Sequence, residues 1–282
     1  MSWEIRAGRL KAAPTLAPPL AIAIMVAAIL FPLYWAAVAS FTPESRLFGQ
    51  VDLVPRRLVL DHYRAVFGER GLGTAVRNSL VVAGATTFVC VIIGALCAYA
   101  LARVPFRGRT LVLTSVLAIS MFPQISIVSP LYLLLRELRL IDTYAGLVLP
   151  YLTFAMPLTI WLLVGFFRQL PRELEEAALI DGAGRLRALW TIVLPLAWPG
   201  LATTAILTFL YCWNEFLFAL CFTLGPERYT VPVAIALFRG QYQVPWGQIL
   251  AGSLIATLPV AALVFVAQRR IVAGLTSGAI KG

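Results

Sequence analysis

Six long apolar runs, separated by short charged or proline-rich stretches, dominate the pattern of this chain. They lie at about 16–41, Leu80–Leu101, Leu111–Leu135, Ala145–Phe167, Gly200–Thr223 and Gly247–Ala267. Each offers about the twenty residues that a helix needs to cross the hydrocarbon core of a bilayer. Strands of a membrane barrel would alternate polar and apolar positions, and these runs do not. The pattern therefore predicts an all-α integral membrane protein with six transmembrane helices embedded in a lipid bilayer.

The segments between the runs carry the charge. Residues 1–15 hold Arg6, Arg9 and Lys11 and precede the first run at 16–41. Ala37-Val38-Ala39 imitates a small-x-small cleavage site, but the run exceeds the about 7–15 apolar residues of a signal peptide, so a retained first helix is expected. Pro18, Pro19 and Pro32 are expected to bend it. Residues 42–73 form an expected extracytoplasmic loop, in which LDHYRAVF reads as a short amphipathic surface helix. That helix either covers helix ends or offers a landing surface to an extracytoplasmic partner. Arg103, Arg107 and Arg109 fill one short loop on the side of the N-terminal cluster, joined there by Arg168, Arg172, Arg185, Arg187, Arg269, Arg270 and Lys281. Short basic loops stay inside, so both termini are expected in the cytoplasm.

Composition agrees with the pattern. The chain is 60% hydrophobic and 13% charged with a mean hydropathy of +0.86, whereas soluble domains are about 25% charged. The net charge of +10 does not imply nucleic acid, because the basic residues lie between apolar runs and not along one face. Cys90, Cys97, Cys212 and Cys221 lie inside apolar runs without a CxxC pair and read as small packing residues. No cluster suggests a metal site. The sole histidine, His62, falls outside the predicted spans, which argues against a Ser–His intramembrane protease.

The charged stretch from Pro171 to Pro199, PRELEEAALIDGAGRLRALWTIVLPLAWP, interrupts the apolar chain. Pro171 suits the start of a helix, and Glu173, Glu175 and Glu176 complement its dipole. Ala177 and Ala178 permit close approach, and Gly182 can end the helix in a left-handed conformation. Leu186, Leu189, Trp190 and Val193 then fall at helical spacing until Pro195 and Pro199. Periodicity leaves two readings open: an interfacial hairpin that only joins two spans, or a coupling element on which a soluble subunit acts.

The residue identities add a resemblance. Glu176, Ala177, Ala178, Gly182, Ile192, Leu194 and Pro195 match the EAA loop of ABC importer permeases at every defined position, and Asp181 and Ala183 match its commoner extension. Asn78-Ser79, AYALARVPFRGR (98–109), MFPQISIVSPLY (121–132), WNEFLFAL (213–220) and QRRIVAGLTSGAIKG (268–282) resemble the carbohydrate-uptake permeases of the maltose and trehalose type, most closely the smaller subunit of the pair. The resemblance implies a type I ABC importer permease fold, with a permease core at 74–267, a cytoplasmic coupling (EAA) helix in the loop at 171–199, and a cytoplasmic tail at 268–282. In that family the loop seats in a groove of the ATPase subunit. Gly274, Gly278 and Lys281 would supply a second ATPase contact; the plain alternative is a frayed basic tail.

Within the spans, Asn214 and Glu215 stand out, because a carboxylate in a membrane helix is costly unless paired or wetted. Glu215 falls about 22 Å along a helix from Gly200, in the outer half of its span. It could line the path of a sugar, with Trp213 and Tyr211 stacking on the rings, or bond to another helix across a subunit seam. Gln124 and Ser126 are further pathway candidates beside Pro123. Gly94, Ala98 and Ala102 form a small-xxx-small face suited to helix packing.

The resemblance thus implies a permease subunit, not an enzyme, of an ATP-driven sugar importer working by alternating access. No GxxxxGK[ST] phosphate loop is present, so ATP and Mg would be bound by partners and not by this chain. The implied assembly contains a second homologous permease subunit, two cytoplasmic ABC ATPases and an extracytoplasmic sugar-binding protein, in a bacterial or archaeal cell membrane. An ABC permease for a polyamine or glycerol phosphate, or an ATPase-independent transporter, is the alternative.

Overall fold

The computed structural model describes residues 17–49, 53–54, 58–239 and 244–277, with side chains between residues 19 and 268. Among the described residues every regular element is helical. Four helices among the described residues are long and apolar enough to cross a membrane, and two bent helix pairs, each taken as one span, bring the number of candidate spans to six. The long ones are α1 (Ala17–Ser40), α3 (Leu72–Arg103), α6 (Tyr144–Gln169) and α13 (Trp246–Ser277), with the short α2 (Asp61–Gly68) before α3.

The centre of the bundle is the seam between α3 and α6. Ala98 and Ala102 are buried there, and a Cβ placed on Gly94 would lie 2.9 Å from Thr159 Cγ2. The small-residue face expected from the sequence therefore brings two backbones close, as small residues do in membrane helices. Helix α10 (Trp198–Trp213) crosses both partners, and the Thr159 and Thr208 hydroxyls share a 2.8 Å hydrogen bond between α6 and α10. Helix α13 packs on α10, and α1 lies outermost against α13. Leu20 and Ile29 of α1 and Phe265 and Val266 of α13 are 60%, 64%, 74% and 81% exposed. Such surface is stable only in an apolar solvent, where a helix satisfies its own backbone groups.

Local chemistry explains the helix ends. Thr143 Oγ1 accepts the Gly146 N–H at 3.0 Å and caps α6. Val104 and Leu170 are extended before Pro105 and Pro171 and end α3 and α6. The Glu44 carboxylate accepts the N–H groups of Trp246 at 2.9 Å and Gly247 at 3.1 Å, capping α13. His62 of α2, half of the expected surface helix's buried face, packs on Gly247, its Nε2 3.0 Å from the Thr42 carbonyl oxygen.

Two of the six runs are not straight helices. The third is α4 (Arg109–Ser120) followed by α5 (Ile125–Glu137), bent by 91° around Met121–Gln124. Pro123 accounts for that break, since it lacks an N–H and its ring displaces the preceding carbonyl; α5 nevertheless continues through Pro130. The fifth run was expected as one helix over Gly200–Thr223, but α10 ends at Trp213 and a new helix, α11 (Leu217–Phe222), begins after a break. Helix α1 runs unbroken through Pro32, and α13 continues through residues 268–277, so the start of the expected tail is helical. Helix α12 (Val231–Ala236) follows α11 and packs on α3 and α13.

Candidate functional site

The charged stretch folds as α7 (Glu173–Ile180), a glycine turn, and α8 (Arg185–Ala188), which runs on through a π turn at Leu189–Val193 into α9 (Leu194–Leu196). Helix α7 begins after Pro171 and Arg172, so Pro171 precedes the helix and does not occupy its first position. Its C-terminus closes as a Schellman motif: the Ala183 N–H donates to the Ala178 carbonyl at 2.9 Å and the Gly182 N–H to the Leu179 carbonyl at 3.2 Å. Gly182 carries the required left-handed conformation, with φ of 85°. The chain then turns by 81° at Ala197 into α10, so the bend falls between Pro195 and Pro199.

This hairpin shows one face to the bundle and one to its surroundings. Leu189 and Val193 are buried in a cluster with Ile160, Leu163 and Phe167 of α6, and Ala188 is buried beside them in sequence. On the other face Glu176, Ala177, Asp181 and Gly182 are exposed, together with Ile180 at 86% and Leu186 at 61%. Ala178, Ala183, Ile192 and Leu194 are half-buried, and Pro195 is exposed. Leu186 and Trp190 thus point outward, whereas Leu189 and Val193 point in.

Sequence reasoning missed what holds α7. Glu175 is the buried residue of α7. Its carboxylate accepts the Tyr99 hydroxyl at 2.5 Å and lies 3.6 Å from Arg103 Nε. Arg103 Nη2 also donates to the Leu170 carbonyl at 2.8 Å. The usable signal was Tyr99 and Arg103 four residues apart on α3, which puts both on one helix face.

The pathway candidates divide between two sides of α10. Gln124, Tyr211, Asn214 and Glu215 line a cleft of about 640 Å³ whose remaining walls include Leu158 and Leu207. Gln124 Nε2 donates to the Tyr211 hydroxyl at 2.8 Å, linking the bend before α5 to α10. Trp213 faces away from this cleft: it is 4% exposed, stacks on Phe209 with ring centroids 5.7 Å apart, and packs with Val66, Leu72 and Phe238. Ser126 lies in the first turn of α5.

Glu215 sits in the break between α10 and α11, at 7% exposure. Its carboxylate accepts the N–H groups of Phe218 and Ala219 at 2.8 and 3.2 Å, while Asn214 Nδ2 donates to the Leu210 carbonyl at 2.7 Å. One polar residue closes a helix and the next opens another, each through a local side-chain bond to the backbone. The Tyr151 hydroxyl approaches the carboxylate without meeting hydrogen-bond geometry. Among the described residues no group of three or more His, Cys, Asp or Glu could hold a metal ion. Gly274 lies within α13, and Gly278 and Lys281 lie outside the described residues.

A bundle with lipid-facing walls, a partly polar cleft and a surface hairpin displayed at one end is the build of a membrane permease. The fold agrees with solved transporters: the chain matches, with a TM-score of 0.77 and 21% identity over 95% of its length and 99% of the other chain, a structure of a bacterial ABC transporter involved in the import of the acidic polysaccharide alginate. This is the type I ABC importer permease fold. Residues 90–276 match the family of binding-protein-dependent transport system inner membrane components, and the chain belongs to that family. It is 43% identical to the trehalose/maltose transport system permease protein MalG of Thermococcus litoralis, over 92% of this chain and 95% of that one. It is 44% identical to the trehalose transport system permease protein SugB of Mycobacterium tuberculosis, with the same coverage of both chains.

Proposed function

We propose that this chain is a transmembrane permease subunit of an ATP-driven importer that translocates a disaccharide of the trehalose or maltose kind by alternating access. The observation that carries the reading is the near full-length identity of 43–44% to two permeases named for those sugars. The exposed hairpin supports it physically. Helix α7 and its glycine turn leave Glu176, Ala177, Asp181, Gly182 and Ile180 uncovered at the edge of the bundle, where they offer a docking face to a cytoplasmic ATPase.

Two ATPase subunits would bind ATP and Mg, since no phosphate loop occurs in this sequence. A second permease subunit and an extracytoplasmic sugar-binding protein complete the assembly. The short basic segments that hold Arg103, Arg107, Arg109, Arg168, Arg172, Arg185 and Arg187 support, by the charge rule, a cytoplasmic position for the α7 end and both termini. The cleft lined by Gln124, Tyr211, Asn214 and Glu215 is the proposed contribution of this subunit to the sugar path, its amides and hydroxyl matching sugar hydroxyls.

The test is reconstitution of the complex with its binding protein in liposomes, followed by ATP-dependent uptake across trehalose, maltose, a polyamine and glycerol phosphate. Uptake of a disaccharide is expected. Uptake of the polyamine alone, or a stable transporting complex without any ATPase, overturns the reading.

A further inference from the structure

Helix α7 rests chiefly on α8 and the π turn, so its hold on the central helices depends on few side chains. Glu175 is its buried one, although Glu173 and Glu176 on either side are exposed. Burial of a carboxylate is unfavourable unless partners compensate it. Here both partners come from the last turns of α3: the Tyr99 hydroxyl at 2.5 Å and the Arg103 guanidinium, with Nε at 3.6 Å from Oε2.

The ion pair is not closed. Its separation exceeds the about 2.7–2.9 Å of a charge-assisted hydrogen bond, and both Nε and Nη1 of Arg103 are buried without a hydrogen-bond partner. Arg103 is instead steadied through Nη2 on the Leu170 carbonyl, at the turn that leads into α7. Arg185 at the start of α8 is the other charge in the field of Tyr99. A small displacement of α7 would therefore change the length of the Glu175–Arg103 contact while the short Tyr99 bond keeps α7 attached. Helix α3 is the element that packs most extensively on α6, through Gly94, Ala98 and Ala102, and it also packs on α10.

We propose that Glu175, gripped by Tyr99 and Arg103, is the positioning residue through which movement of α7 is passed to α3. The inference rests on α7 being the ATPase-coupling helix. In this arrangement Glu176 and the glycine turn face the ATPase, and Glu175, on the opposite face, faces the bundle. The two adjacent glutamates divide the tasks of receiving and transmitting a displacement.

The test uses the full chain assembled with its partner permease, ATPases and binding protein in liposomes, comparing wild type with Tyr99→Phe and Glu175→Gln. Tyr99→Phe removes one hydroxyl and leaves the ion pair, so it keeps the test informative should Glu175→Gln fail to fold. The expected result is normal assembly and retained ATP hydrolysis, with sugar transported per ATP reduced about tenfold in Tyr99→Phe, the order of effect of one hydrogen bond to a charged acceptor. A wild-type ratio of sugar to ATP in Tyr99→Phe overturns the proposal, as does a loss of transport that only tracks a loss of assembled complex. A wild-type complex that hydrolyses ATP without moving any disaccharide overturns the importer reading instead.

Discussion

The Glu215 carboxylate accepts the Phe218 N–H at 2.8 Å, so the acid that follows the Asn214 end of α10 begins α11. Its second oxygen takes the Ala219 N–H at 3.2 Å. A carboxylate inside a membrane protein needs compensation, and here the backbone supplies it. The residue can cap α11 and line the cleft together, because Glu215 is one of the residues that wall that cavity.

Glu215→Ala leaves two buried N–H groups without an acceptor, each costing about 1–3 kcal/mol, whereas Glu215→Gln retains one acceptor oxygen. The alanine variant should melt at a clearly lower temperature in detergent than the glutamine variant. Glu215→Gln should change sugar-stimulated ATP hydrolysis more than assembly. Should it mainly block assembly, capping is the whole role of this side chain.

Gly94 tolerates no side chain without a shift of the buried Thr159 side chain of α6, since its Cβ would meet Thr159 Cγ2 at 2.9 Å. Gly94→Leu is expected to cost about 1–3 kcal/mol or more by overpacking. The measurement is the yield of detergent-stable permease; an unchanged yield would mean that the seam can open.

At Gly182 the constraint is backbone and not space. Nothing lies within 4 Å of a Cβ there, yet φ is 85°. A β-branched residue in that conformation costs roughly 1–2 kcal/mol, so Gly182→Val should unravel the turn and weaken ATPase co-purification, while Gly182→Asn should not. Glu176→Lys, at an exposed position, should weaken co-purification without affecting membrane insertion. Unchanged co-purification in both Gly182→Val and Glu176→Lys would remove the case for docking on α7.

Tyr211→Phe breaks the 2.8 Å bond from Gln124 across the cleft but leaves the ring in place. If the cleft carries sugar, half-saturation for uptake should rise several-fold with little change in basal ATP hydrolysis. A variant indistinguishable from wild type in uptake would move the sugar path away from this subunit.

The sequence by itself determined the membrane class, the approximate spans and the hairpin with its glycine turn. These depend on local quantities: run length against bilayer thickness and the left-handed freedom of Gly182. The spacing from Glu176 to Pro195 was legible for the same reason, as a pattern along one short segment. Tertiary structure decided the rest. Hydropathy cannot show that Asn214 and Glu215 divide a helix, because the same composition fits one continuous span. Nor could it show that Trp213 faces away from Gln124 and Tyr211, since that follows from how α10 is rotated against α3 and α13. Glu175 is the clearest case. Along the chain it is one of three similar glutamates, and only the approach of Tyr99, 76 residues earlier, takes it out of water and gives it a partner.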